Sequence, residues 1–107
     1  MNDKVLSMLS LCRKAGKLVA GFDPVAESIR SKKAHLVLLA SDLSPKTRSE
    51  VAYTVNKGGS LLKIMELPHT MDQLSMVLGR RSGVLAVADQ GLADAVRRAA
   101  DMTNREE

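Results

Sequence analysis

Hydrophobic residues recur along this chain with helical spacing in some segments and form unbroken runs in others. The first segment carries apolar residues at positions i, i+3, i+4 and i+7, which are Val5, Met8, Leu9 and Cys12. This spacing predicts one buried face of a helix. The helix is predicted to end near Gly16, because glycine commonly follows a helix C-terminus. Cys12 lies on the buried face, and we interpret it as a small core residue rather than a reactive thiol.

Capping residues mark four further helix starts. Asp23 and Ser44 each precede a proline; both residue types cap helices well, and proline suits the first helical position. Thr70 and Gln73 have the spacing of a capping box. Asp89 precedes the last segment with helical periodicity. We therefore predict helices that begin directly after Asp23, Ser44, Thr70 and Asp89.

Four short segments are predicted to be strands. Residues 35–40 form a continuous apolar run, which is typical of a strand buried on both faces. The other candidates are residues 17–20, 60–65 and 84–88. Strands alternate with helices, and this pattern favours βαβ units and a mostly parallel or mixed sheet with helices on both faces.

The chain has 107 residues, of which 45% are hydrophobic. This length allows one domain with one substantial core. We expect an α/β domain over residues 1–102, followed by a polar tail over residues 103–107. The formal net charge of +4 suits a polyanionic partner, although ordinary soluble proteins also carry such a charge.

Several kinds of chemistry lack the residues they require. Cys12 is the only cysteine, so an intrachain disulfide and a cysteine zinc site are excluded. His35 and His69 have no partner at metal-ligand spacing and are interpreted as surface or satisfied histidines. The sequence has no dinucleotide-binding glycine motif, P-loop or nucleophile elbow. We therefore expect no enzyme activity, no cofactor and no metal.

The location of the protein follows from two further features of the sequence. The first residues lack the charged start, apolar stretch and cleavage site of a signal peptide. The apolar runs are too short to span a bilayer. We expect a soluble cytoplasmic protein without a membrane partner.

Basic residues gather at three places near the predicted strands. In α/β sheets, ligands tend to bind at loops beyond the strand ends, and basic residues beside glycines suit close approach to a phosphate backbone. Solvated loop charges are the alternative interpretation of each cluster. The three clusters are Arg13 with Lys14 and Lys17, Lys32 with Lys33, and Arg80 with Arg81.

Three stretches of the sequence resemble a known family. Residues 14–21 (KAGKLVAG) and 34–44 (AHLVLLASDLS) resemble the kink-turn RNA-binding ribosomal proteins, and residues 78–91 (LGRRSGVLAVADQG) resemble the bacterial YlxQ branch of that family. The resemblance covers residues 4–100. It implies a three-layer α/β/α sandwich around a four-stranded mixed sheet. It also implies non-enzymatic binding of structured RNA, often within ribosomes or ribonucleoprotein particles.

The resemblance further implies where RNA binds. Members of the family use the turn after the first strand, the start of the second helix and the loop before the last strand. The residues of this chain at those places, with the neighbouring basic side chains, are Lys14, Lys17, Gly21, Phe22, Asp23, Arg80, Arg81, Ser82, Gly83 and Val84.

This chain departs from the family pattern at the start of the second helix. Strong kink-turn binders carry Gly-x-Asn-Glu-x-x-Lys, whereas residues 21–27 are GFDPVAE, so only Gly21 matches. Asp23 is expected to cap the helix, and Glu27 occupies the position of the lysine that meets phosphate. We therefore predict weak binding of standard kink-turn RNA. Phe22 lacks an apolar staple partner at Glu27. One interpretation is therefore an exposed Phe22 that stacks on an unpaired base, and the alternative is a packing role at the helix start.

Two functions remain open from the sequence. The first is a monomeric, non-enzymatic protein that binds kink-turn-like or ribosomal RNA and associates with the ribosome or another ribonucleoprotein. The alternative is a protein-interaction module on the same scaffold, in which kink-turn specificity has been lost. Salt dependence of binding to ribosomal RNA separates the two, because neutralising phosphates gives a steep negative slope.

Overall fold

A computed structural model of the chain describes residues 3–58 and 62–105, with the backbone alone for residues 102–105. Helices and strands alternate from the first described residues to the last. In chain order they are α1 Lys4–Lys14, β1 Leu18–Ala20, α2 Phe22–Arg30, β2 Leu36–Leu39, α3 Pro45–Lys57, β3 Ile64–Glu66, α4 Met71–Leu78, β4 Val84–Val87 and α5 Gln90–Arg105.

The strands form one mixed sheet in the order β1-β4-β2-β3. β4 runs antiparallel to both of its neighbours, whereas β2 and β3 are parallel. The two central strands are buried along their whole length, as expected for strands covered on both faces. The sequence prediction of a four-stranded mixed sheet is confirmed.

Two hydrophobic cores lie on opposite faces of the sheet. Leu36 and Leu38 belong to the core formed with α1, α4 and α5, whereas Val37 and Leu39 belong to the core formed with α2 and α3. This alternation follows from the two-residue period of a strand. Cys12 is fully buried in the first core, which confirms its interpretation as a core residue. The molecule is therefore the three-layer α/β/α sandwich predicted from the sequence.

Three of the predicted helix starts are confirmed in detail. Ser44 Oγ accepts a hydrogen bond from the N–H of Thr47. Thr70 and Gln73 form the predicted capping box, with each side chain accepting from the backbone N–H of the other residue. The Asp89 carboxylate accepts from the N–H of Leu92 at 2.9 Å. Each bond satisfies an N–H group that the first helical turn leaves without a helical partner.

The predicted start of α2 is wrong. The helix begins at Phe22, and its N-cap is Gly21 rather than Asp23. Gly21 has φ +101°, a conformation that residues with a side chain rarely adopt, and its C=O accepts from the N–H of Val25. The chain therefore turns into the helix directly after β1, and Asp23 lies in the first helical turn.

The remaining differences concern the ends of elements. β3 is displaced from the predicted residues 60–65, and residues 59–61 lie outside the described residues. Helix α5 continues to Arg105, three residues into the segment predicted as a polar tail; residues 106 and 107 lie outside the description. Within the described parts, no helix is long and apolar enough to cross a membrane.

Candidate functional site

The sheet has two edges at which strands meet loops, and the predicted site residues are divided between them. One edge collects the carboxyl ends of β1, β2 and β3 together with the amino end of β4, as the pairing of the strands requires. We call it the loop edge, and it comprises residues 21–23, 40–44, 67–70 and 79–83.

Gly21 and Arg80 bring the two halves of the loop edge together. The N–H of Gly21 donates to the C=O of Val84 at 2.9 Å, which joins the turn after β1 to the start of β4. A Cβ atom on Gly21 would lie 3.5 Å from a terminal nitrogen of Arg80. The Arg80 guanidinium therefore lies beside backbone from which no side chain projects.

The three arginines near residues 79–83 differ in their partners. Arg81 forms an exposed ion pair with Asp72 of α4. Arg13 donates to the C=O of Val77 at 2.8 Å, and its guanidinium lies against Gly79. Arg80 makes no hydrogen bond or ion pair with any residue whose side chain is described, namely residues 3–58 and 62–101. Among these three arginines, Arg80 alone has no described partner, so its positive charge is available for a ligand.

Arg13 was placed by the sequence beside the first strand and was not among the predicted site residues. Its side chain instead reaches the carboxyl end of α4, where a cation is favoured by the partial negative charge of the helix terminus. Arg13 lies in the last turn of α1, and nothing in the sequence around it predicts a hydrogen bond to the distant Val77.

Ser82, Gly83 and Val84 lie below the surface. Ser82 Oγ donates to the C=O of Val84 at 3.2 Å. A Cβ atom on Gly83 would lie 2.8 Å from a methyl carbon of Leu43 and 3.0 Å from atoms of Met71. These contacts hold the loop before β4 against the sheet. The side chains of Ser82 and Val84 are buried and are not presented to a ligand.

Phe22 is partly buried and packs against the core on the α2 and α3 face of the sheet. The interpretation in which it is exposed is therefore wrong. The earlier start of α2 is the reason, because Phe22 becomes the first helical residue and joins the apolar side of the helix with Val25 and Ile29. Asp23 is exposed in the first turn of α2.

Lys14 and Lys17 are exposed but do not lie with Arg80. The C=O of Lys17 accepts from the N–H of Ala88, beyond the end of β4 that lies away from residues 79–83. Strand β1 separates Lys17 from Gly21, a span of about 13 Å at 3.3 Å per residue. The structure therefore places these two lysines toward the opposite edge of the sheet.

Both histidines have structural partners. His35 Nδ1 lies 3.1 Å from the side-chain oxygen of Gln90. His69 is buried, and its Nε2 lies 2.7 Å from Asp3, whose other carboxylate oxygen caps α1 through the N–H of Leu6. Partial burial by itself raises the pKa of Asp3, but the hydrogen bonds from Leu6 and His69 outweigh it and hold this pKa below its usual range. Among the described residues, no group of three or more His, Cys, Asp or Glu side chains is arranged to hold a metal ion.

Comparison with protein families and sequences gives consistent matches over most of the chain. The model of the Ribosomal protein L7Ae/L30e/S12e/Gadd45 family matches residues 3–96. The RNA-binding protein YlxQ of Bacillus subtilis is 36% identical over 92 residues, which cover 81% of this chain and 85% of that protein. The large ribosomal subunit protein eL30B of Schizosaccharomyces pombe is 34% identical over 97 residues, or 86% of this chain and 79% of that protein.

Solved structures share the same fold. A protein with unknown function from Bacillus halodurans superimposes with a TM-score of 0.82 and 22% identity, covering 94% of this chain and 99% of that one. The Giardia lamblia 15.5kD RNA binding protein superimposes with a TM-score of 0.70 and 13% identity, covering 98% and 92% of the two chains. At these identities the superpositions establish the arrangement of helices and strands.

Proposed function

This chain belongs to the Ribosomal protein L7Ae/L30e/S12e/Gadd45 family, and we propose that it binds structured RNA and catalyses no reaction. The names of its relatives, RNA-binding protein YlxQ and large ribosomal subunit protein, support this proposal. The RNA is ribosomal or kink-turn-like. The protein acts as a monomeric domain over residues 1–102, without cofactor, in the cytoplasm and in association with a ribosome or ribonucleoprotein.

The observation that carries the proposed site is the Arg80 guanidinium beside the bare backbone of Gly21. A guanidinium binds phosphate through two parallel hydrogen bonds and stays charged at every physiological pH. The absence of a side chain on Gly21 lets a nucleic-acid backbone approach closely. We assign phosphate binding to Arg80 and close approach to the turn at Gly21.

The other loop-edge residues support this contact. Arg81 is held by Asp72, and an exposed pair of this kind contributes only about 0–1 kcal/mol, so RNA phosphate can compete for Arg81 at small cost. Ser82 and Gly83 fix the path of the chain that presents the two arginines. Phe22 packs against the core at the start of α2, and only the part of its ring that stays exposed is available to a base.

Substitution of Arg80 by glutamine tests the proposed site. We expect a kink-turn hairpin to bind more weakly to Arg80→Gln, with the salt dependence flattened by about one unit of slope because one phosphate contact is lost. Arg98→Gln is the matched control, because Arg98 is an exposed arginine of α5 that lines a shallow groove with Lys4 and Ser7 of α1 and contacts none of residues 79–83. Folding stability should change by no more than about 0.5 kcal/mol in either variant.

Each outcome of this test has a definite meaning. Equal affinities and slopes for Arg80→Gln and the wild-type protein would show that the loop edge is not the binding site. Failure of the wild-type protein to bind either the hairpin or ribosomal RNA at low salt would overturn the function, and would favour the alternative of a protein-interaction module.

A further inference from the structure

The edge of the sheet opposite the loop edge is strongly basic. It collects the amino ends of β1, β2 and β3 and the carboxyl ends of α1, α2 and α3, since the C=O of Lys17 bonds to Ala88 and the C=O of Lys63 bonds to Val37. We call this surface the lysine edge. Its exposed cations are Lys14, Lys17, Arg30, Lys32, Lys33, Lys57 and Lys63.

Few carboxylates offset these charges. In the segments that form the lysine edge, Glu27 lies 3.6 Å from Arg30 in an exposed pair, and Asp89 is occupied as the cap of α5. The lysines form no ion pair with other described residues. Cations favour the carboxyl ends of helices, which accounts for Lys14, Arg30 and Lys57. This preference extends to Lys17, Lys32 and Lys33, which directly follow α1 and α2, but it does not account for Lys63, which precedes β3.

Lys32 occupies a backbone conformation that favours glycine. Its φ is +61°. Its N–H bonds to Ile29, and the next N–H bonds to Ser28, so α2 ends in a Schellman motif with lysine at the left-handed position. Helix α1 ends in the same motif, where Gly16 takes this position at φ +71°. Folding alone favours glycine at residue 32, and the lysine there indicates a role for its charge.

An exposed aromatic ring lies in a groove lined by two cations of the lysine edge, Arg30 and Lys57. The groove lies between α2 and α3, and Tyr53 within it is 65% exposed. Lys57 Nζ lies 5.8 Å from the centre of the Tyr53 ring, and Arg30 also lines the groove. An aromatic face flanked by cations suits a base stacked on the ring with its phosphates held alongside.

We propose that the lysine edge is a second RNA-binding surface, which holds the phosphates of a single-stranded segment on Lys32, Lys33 and Lys63 and stacks a base on Tyr53. RNA fits better than an acidic protein, because the groove offers a cation-flanked aromatic ring rather than aliphatic side chains. The inference rests on the proposed function for its class of ligand, but it concerns different residues at the opposite edge of the sheet.

Two RNA probes separate the two surfaces. The first is a mixed-sequence single-stranded octanucleotide, and the second is a kink-turn hairpin without single-stranded ends. We expect Lys32→Gly combined with Lys63→Gln to weaken octanucleotide binding about tenfold and to flatten its salt dependence by about one unit of slope per lysine. Arg80→Gln should leave octanucleotide binding unchanged and weaken only the hairpin.

The single variant Lys32→Gly separates binding from folding. Glycine is favoured at this φ, so the variant should melt at the wild-type temperature or above it while binding the octanucleotide more weakly. Lys32→Arg keeps the charge and should keep wild-type affinity. If the double mutant that combines Lys32→Gly with Lys63→Gln binds the octanucleotide as tightly as the wild-type protein, the lysine edge is not an RNA-binding surface. Hairpin binding without octanucleotide binding would lead to the same conclusion, while leaving the loop edge intact.

Octanucleotide binding at Tyr53 can be observed directly, because Tyr53 is the only tyrosine in the chain. Incorporation of 3-fluorotyrosine therefore gives a single fluorine resonance, which should shift when the octanucleotide is added and stay in place with the hairpin. Tyr53→Leu should weaken octanucleotide binding by about five- to 150-fold, and Tyr53→Phe should retain it, because the ring does the stacking. An unmoved resonance at saturating octanucleotide would contradict the assignment of Tyr53.

Discussion

Some residues of the loop edge fix the path of the backbone, and others are exposed to solvent. Gly83 belongs to the first group, since a side chain there would collide with Leu43 and Met71. Arg80 belongs to the second, because it is exposed and without a described partner. A substitution in the first group should change folding stability, whereas one in the second should change binding alone.

Gly83→Ala should lower the free energy of unfolding by about 1 kcal/mol, the low end of the cost of overpacking, because the nearest atoms belong to side chains that can shift. The Cβ atom of the alanine would lie 2.8 Å from a methyl carbon of Leu43. Gly91→Ala is the control, because a Cβ atom there meets nothing closer than 3.4 Å and alanine is favoured over glycine within a helix by about 0.5–1 kcal/mol. Urea unfolding should give opposite signs for the two variants; equal midpoints would contradict the close packing at Gly83.

The thiol of Cys12 should be inert in the native protein. It is fully buried, and burial raises the pKa of this thiol, so the reactive thiolate is scarce as well as inaccessible. A disulfide reagent should modify the protein only as fast as the chain opens, with full reaction in denaturant. Rapid modification of the native protein at neutral pH would show that α1 does not pack as described.

At the scale of elements, local signals in the sequence predicted most helix starts and failed at α2. Ser44, Thr70 and Asp89 cap through their own side chains, so the residues themselves carry the information. The start of α2 is set by Gly21, whose N–H bonds to the distant Val84. No pattern within residues 21–27 indicates that bond. Asp23 followed by Pro24 has the pattern of a helix start, and it predicted a cap at Asp23 instead of Gly21.

The start of α1 should depend on pH through Asp3. The pKa of Asp3 is lower in the folded protein than its usual value of 3.8. Its contribution to stability is therefore present above that value and is lost as the pH falls through the folded pKa. Asp3→Ala should lower the free energy of unfolding at pH 7 by about 1 kcal/mol, typical of a lost cap. The difference from wild type should shrink below pH 3.8; a difference that stays constant down to acid pH would contradict a charged cap.

The carboxylates of α2, Asp23 in its first turn and Glu27 one turn further on, should weaken binding of standard kink-turn RNA. Asp23 and Glu27 are exposed on this helix, and a carboxylate that faces phosphate opposes binding. Asp23→Asn with Glu27→Lys should strengthen binding of a kink-turn duplex. Asp23 does not cap the helix, so its replacement removes only a favourable interaction with the helix terminus of about 0.3–1 kcal/mol. If the double mutant binds no better at the same salt concentration, the start of α2 does not face the RNA.

At the scale of the whole molecule, the order of the strands decides which basic residues act together. Hydrophobic period and caps are local features, and they predicted helices on both faces of a mostly parallel or mixed sheet; the three-layer arrangement around four strands was implied by the family resemblance. The sequence prediction grouped Lys14 and Lys17 with Gly21 because they are close along the chain. The antiparallel pairing of β1 with β4 instead places Lys17 beside Ala88 and Gly21 beside Val84. Lys14 and Lys17 therefore lie on the lysine edge and Gly21 lies on the loop edge, although all three belong to one short segment of the chain.

The central claim, that RNA binds at the loop edge, is tested most directly by mapping backbone amide resonances during titration with a kink-turn hairpin. The account predicts that the amides of Gly21 and Arg80 shift with the same saturation curve, while the amide of Arg98 on α5 stays in place. Shifts confined to α5, or the absence of any shift at Gly21 and Arg80 when the hairpin is bound, would contradict it.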